Sequence, residues 1–120
     1  MIEIMAESSG SVLGLRASGK LTHDDYQRVL IPHLDSLFRQ HGKLNLLFLM
    51  DEDFAGWELD AAWDDARYGL RHNADFGKLA VVGGPAWVER CIRLAGFLMK
   101  GEIRTFSSRQ VAQAWDWIRH

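Results

Sequence analysis

Apolar positions recur along this chain with a period that switches between two and about 3.6, and each switch marks an element. Residues 2 to 6, IEIMA, and 11 to 18, SVLGLRAS, alternate on either side of Glu7-Ser8-Ser9-Gly10, which predicts an antiparallel hairpin. After a second turn at Ser18-Gly19-Lys20, Thr22 precedes the acidic pair Asp24 and Asp25. It begins a helix with apolar positions Tyr26, Val29, Leu30, Leu34, Leu37 and Phe38. Gly42 suits the position just past its end.

Strand and helix then alternate, the arrangement of parallel strands joined by crossover helices. Lys43 to Met50 reads as a strand, and Glu58 to about His72 as a helix. Its stripe of Leu59, Ala62, Trp63, Ala66 and Leu70 is expected to face inward, with Asp60, Asp64, Asp65 and Arg71 largely outward. Lys78 to Val82 is the next strand. Gly83-Gly84-Pro85 forms a turn, and Pro85 starts a helix to about Met99 with Trp87, Cys91, Leu94, Ala95 and Leu98 inward, closed by Gly101. A short last strand, Ile103 to Phe106, leads through Ser107 or Ser108 as a cap into a final helix. Val111, Ala114, Trp115 and Ile118 form its buried stripe.

The 120 residues suit a single domain, 1–120, large enough for one core. Hydrophobic residues make up 48% and charged residues 25%, with only two prolines, which sets aside disordered and fibrous classes. A net charge of −2, from 14 basic and 16 acidic residues, lacks the basic excess of a nucleic-acid binder. The longest apolar run, Leu46 to Met50, is far short of the roughly 20 residues that span a bilayer, and no basic leader precedes it. With one cysteine, Cys91, in an apolar helical pattern, the expectation is a cytoplasmic protein in which that thiol is a small buried hydrophobe.

The segment Leu44 to Trp57, LNLLFLMDEDFAGW, carries the most functional information. An apolar strand breaks into Asp51, Glu52 and Asp53, at the strand end where open α/β folds bind ligands. These acids read as a solvated turn in which one carboxylate accepts backbone N–H bonds at the next helix, in preference to a metal site. The first two strands end in Ala6 and Ser18 and supply no further acids. Gly83-Gly84 reads as a tight turn, since it lacks the later glycine of a dinucleotide fingerprint and the Lys-Ser/Thr pair of a phosphate loop. His23, His33, His41, His72 and His120 lie on different elements without ligand spacing, and no serine sits in a GxSxG elbow. The residues specify no catalytic group, metal or cofactor.

The order of elements resembles the SpoIIAA-like, or STAS-type, fold. The segments MDEDFAGWELDAAWDD, KLAVVGGPAWVERC and GEIRTFSSRQVAQAWDWI resemble small stand-alone bacterial proteins of the STAS/SEC14-like group. That resemblance implies a mixed sheet of about five strands, a hairpin followed by parallel strands, with about four helices. Anti-sigma-factor antagonists of this kind are switched by phosphorylation of a serine in the turn after the third strand. Here that turn is Asp51 to Trp57, and no serine or threonine occurs between Ser36 and Thr105. The resemblance therefore implies a non-catalytic binding module without that switch, recognising a protein partner or a second copy of itself. Its alternative is a SEC14-like carrier or sensor of a small apolar ligand. The site is expected at Asp51, Asp53, Phe54, Trp57, Gly83 and Trp87. Trp57 and Trp117, outside the main apolar stripes, are the candidate contact tryptophans, while Trp63, Trp87 and Trp115 are expected to fill the layers between sheet and helices.

Overall fold

A computed structural model describes residues 1–72, 74–95 and 101–120, and for Leu70, Trp87, Cys91, Ile92, Leu94 and Ala95 it describes the backbone alone. The elements are β1 (Ile2–Ile4), β2 (Val12–Ala17), β3 (Lys20–Leu21), a π-helical segment (Asp25–Leu30) running into α1 (Ile31–His41), and β4 (Leu44–Met50). They continue with β5 (Gly56–Trp57), α2 (Leu59–Arg71), β6 (Phe76–Gly83), α3 (Ala86–Ala95), β7 (Glu102–Phe106) and a 3-10 turn (Ser108–Gln110) leading into α4 (Val111–Arg119).

Five strands form one mixed sheet in the order β1-β2-β4-β6-β7, with β1 antiparallel to β2 and every other pairing parallel. Because the strands after β2 advance in one direction, crossovers of one hand lay α1, α2 and α3 on the same face, and α4 folds back over the other. Alternation along β4 shows the division. Leu44, Leu46 and Met50 join the core under α1 to α3, and Leu47 joins the core under α4. A register shift between Leu44 and Leu46 frees Asn45, whose Oδ1 accepts from the Lys78 N–H at 2.9 Å while its Nδ2 donates to the Ile118 carbonyl at 2.6 Å. Asn45 thereby ties the irregularity of the sheet to the end of α4.

α4 is placed by close approach. A Cβ at Gly14 would stand 2.3 Å from the Trp115 ring, so this strand position admits only glycine beneath the indole. Trp115 is 6% exposed there, with Ala114 and Ile118 buried beside it, as its stripe predicts. At the start of this helix the Ser107 N–H donates to the Gln110 side chain at 2.9 Å.

Three features depart from the sequence reading. The first long helix begins as a π-helix, where the Ile31 N–H reaches back five residues to the Tyr26 carbonyl. Pro32, with no N–H, lies in the first turn of the regular helix that follows. Tyr26, Leu30 and Leu34 are buried as expected, but Val29 is exposed. Second, Lys20 and Gly56–Trp57, read as turn residues, take part with Leu21 in a two-stranded parallel sheet, Lys20–Leu21 against Gly56–Trp57. Third, Leu59, Ala62, Trp63 and Ala66, assigned inward on α2, are exposed and Asp64, assigned outward, is buried, while Asp60 and Arg71 are exposed as expected and the side chain of Leu70 lies outside the described residues. Of the residues assigned inward on the penultimate helix, the side chains of Trp87, Cys91, Leu94 and Ala95 and all of Leu98 lie outside the described residues, as does that helix beyond Ala95.

Candidate functional site

Because β4, β6 and β7 are parallel, the segments leaving their C-terminal ends converge. They enclose an open cleft of about 740 Å³, within the roughly 300–1,000 Å³ common for ligand pockets. Its apolar part comes from Met50, Phe54, Val81, Val88 and Phe106, and its rim from Asp51, Glu52, Glu89, Thr105, Ser107, Ser108 and Gln110. Gly83 and Gly84 line it with φ of 76° and 86°. A Cβ at Gly83 would stand 2.7 Å from the Met50 carbonyl oxygen, and one at Gly84 would stand 2.7 Å from the Met50 sulfur. The double glycine is thus a turn that only glycine builds without strain.

Asp51 holds the acidic turn at the mouth. Its Oδ1 accepts from the Asp53 N–H at 2.9 Å, and its Oδ2 accepts from Arg16 Nε at 3.2 Å. The turn is then sewn to the Ser18–Leu21 segment, since the Gly19 N–H donates to the Asp53 carbonyl at 3.0 Å and the Ala55 N–H donates to the Gly19 carbonyl at 2.7 Å. Asp51, Phe54 and Gly83 therefore share the cleft, while Asp53 and Trp57 stand outside its lining. Trp87 belongs to α3, and its side chain lies outside the description.

Aromatic packing buries Phe54 and half-buries Trp57. Phe54 is 9% exposed and meets the Trp57 ring edge-on at 5.1 Å, and Trp57 stacks on Phe48 at 6.4 Å. The Trp57 Nε1–H donates to the Tyr26 hydroxyl at 2.8 Å. Trp117 is likewise half-buried, its ring covered by Lys78 Nζ at 5.3 Å, which also donates to its carbonyl at 3.1 Å. A large residue outside a helical stripe need not be free, because strand β5 gives Trp57 a second partner layer that helical spacing does not reveal.

Among the tryptophans whose side chains are described, the exposed one is Trp63. On α2, Trp63 is 65% exposed and Leu59 87%, with Ala62 and Ala66 exposed beside them, whereas Ala61 and Asp64 are buried. Polar docking accounts for the reversal. Asp64 pairs with His23 Nδ1, and Asp65 Oδ1 accepts from the Tyr26 hydroxyl at 2.9 Å. One turn on, the Tyr68 hydroxyl donates to Asp35 Oδ1 at 2.7 Å. Asp65 as a residue is exposed, yet its carboxyl is turned under the helix, where desolvation raises its pKa against the lowering effect of the Tyr26 hydroxyl. Burial, with the neighbouring carboxylates, also pushes the Tyr26 and Tyr68 hydroxyls above their ordinary range, so both remain protonated donors. The signal for this arrangement is in the sequence as Asp64, Asp65 and Tyr68 on one face, but it is readable only once His23, Tyr26 and Asp35 are known to lie opposite.

Among the described residues no three His, Cys, Asp or Glu side chains converge as a metal site, and no helix is long and apolar enough to cross a membrane. The Thr22 N–H donates to Asp25 Oδ2 at 2.9 Å, and Thr22 Oγ1 accepts from the Asp25 N–H at 3.1 Å. Burial pushes the Asp25 pKa up. The bonds from Thr22 and the N-terminal ammonium outweigh that and hold it below the usual carboxylate value.

Fold and cleft together define an open mixed α/β domain with its concavity at the C-terminal strand ends. The SpoIIAA-like family profile matches residues 12–119, and the chain belongs to that family. A solved structural neighbour is an uncharacterised protein of the DUF3478 family with a SpoIIAA-like fold from Shewanella loihica PV-4. It is 32% identical, with a TM-score of 0.77, over 98% of this chain and 93% of that one. No curated protein matches the chain.

Proposed function

We propose that the chain is a non-catalytic binding module whose recognition face is the outer side of α2. The observation that carries this is the apolar stripe of Leu59 and Trp63, left in solvent while carboxylates of the same helix are turned inward. Large aromatics in a contiguous exposed patch are the residues most often found at the centre of protein interfaces. The test is a photoreactive side chain at position 63 in cells. An adduct that is lost when the reactive group is moved to Arg109, in the 3-10 turn before α4, supports the reading, and equal labelling from both positions defeats it.

A second reading has its own observation, the apolar part of the cleft formed by Met50, Phe54, Val81, Val88 and Phe106. It supports a small, largely apolar ligand held under the acidic rim, with the Asp51 to Trp57 turn at the mouth. Native mass spectrometry of freshly purified protein should then show a co-purifying mass that disappears in Val88→Trp. A clean apo mass in the unsubstituted protein would count against this reading.

A further inference from the structure

We infer that the occupant of the α2 face is a second copy of this chain, packed antiparallel about a two-fold axis that crosses the helix level with positions 64 and 65. The inference rests on the reading of α2 as a recognition face and adds the partner and its geometry.

Charge order along the helix carries the argument. Glu58 and Asp60 are exposed at its N-terminal end and Arg67 and Arg71 at its C-terminal end, and among the described residues none of the four has an ion-pair partner. At about 100° per residue, Asp60, Arg67 and Arg71 fall on one flank of the Leu59-Ala62-Trp63-Ala66 stripe, and Glu58 falls on the other. When two copies of a helix pair antiparallel, each flank meets the same flank of its mate. The stated axis then sets Asp60 of either copy between Arg67 and Arg71 of the other. The same axis brings each Trp63 over the Ala66 of the other copy, a large side chain against a small one, which permits close helix approach. Parallel pairing sets the acidic ends together, with Asp60 beside Glu58.

Other occupants fit less well. A helix lying on an anionic membrane surface carries Lys and Arg on both flanks, whereas here one end of the exposed face is acidic. Both signs sit on one flank in an order that complements itself only on reversal, which is the requirement of an isologous interface. A single helix pair falls at the small end of protein interfaces, below about 1,200 Å², so the dimer is expected to be weak and concentration-dependent.

Charge exchange tests the inference. Asp60→Arg makes that flank wholly basic, and Arg67→Glu with Arg71→Glu makes it wholly acidic; all three positions are exposed, and far-UV circular dichroism checks that the fold is kept. In sedimentation velocity the unsubstituted chain should associate as its concentration rises towards about 1 mM, and each variant alone should associate at least about tenfold more weakly. An equimolar mixture of the two variants should recover association to near that of the unsubstituted chain, since every Arg then faces an acid. A chain that stays monomeric throughout overturns the second-copy inference, and so does a mixture that fails to recover. A position-63 adduct to a different protein, or vesicle binding lost in Trp63→Ala with no dimer, overturns it as well. The adduct to a different protein leaves the α2 recognition reading standing, so the two failures are distinguishable.

Discussion

α2 and α4 are both amphipathic helices with alanine and tryptophan on one stripe, and they use that stripe in opposite ways. α4 lays Ala114, Trp115 and Ile118 onto the sheet above Gly14, while α2 leaves Leu59 and Trp63 in water and docks through Ala61, Asp64, Asp65 and Tyr68. The difference lies in what each helix meets. α4 covers a sheet face of Leu47, Ala80 and Val82, where Asn45 and Lys78 donate to its last carbonyls and its one acid, Asp116, stays in water. α2 lies against the π-helical segment and β5, where Tyr26 and His23 supply partners for acids. Amphipathicity thus establishes that a helix has two sides, and its neighbours decide which side is buried.

The most severe way to break this comparison is to truncate the two tryptophans. Trp115→Ala should cost about 3–5 kcal/mol in urea unfolding, the usual loss for a large buried aromatic. Next, Tyr26→Phe removes the hydroxyl shared by Trp57 and Asp65 and should cost about 1–3 kcal/mol. Its loss should also raise hydrogen exchange in α2 more than in α4, and equal changes would mean that the polar network does not hold α2.

Asp25→Asn is expected to cost about 1 kcal/mol at neutral pH, as lost helix caps do. The sign of its pH dependence follows from the lowered carboxyl pKa of the folded state. The charged form is favoured by folding, so its stabilisation is present above the unfolded value near 3.9 and disappears as pH falls through the lower folded value. The stability gap between Asp25→Asn and the unsubstituted chain should therefore narrow below about pH 4, as followed by thermal unfolding across pH. The smallest effect belongs to Trp63→Ala, expected to lie within about 0.5 kcal/mol of the unsubstituted chain in dilute solution. A loss comparable to that of Trp115→Ala would show that Trp63 is packed and would remove the basis of the proposed recognition face.

Much of the architecture was legible because period and punctuation are local. The hairpin, the long helix after Thr22, the three later strands and the α4 stripe follow from side-chain alternation and from where glycine and capping residues stand. The Gly83-Gly84 turn was equally readable, and its positive φ values agree with it. Other features required the neighbour. Trp57 is half-buried by Phe54 of its own turn and by Phe48 and Tyr26, which are contributed by two other segments. The cleft combines residues from Met50 to Gln110 that no spacing rule connects.

Sequence alone determined that this chain takes a mixed α/β fold of the SpoIIAA-like kind with an acidic turn after its central strand, because hydrophobic period, turn chemistry and element order are written residue by residue. Only the tertiary structure decided that Phe54 is buried and Trp57 half-buried against it, and that Leu59 and Trp63 face water. A carboxylate goes inside only where a donor waits for it, and whether His23 and Tyr26 are waiting depends on how distant segments meet.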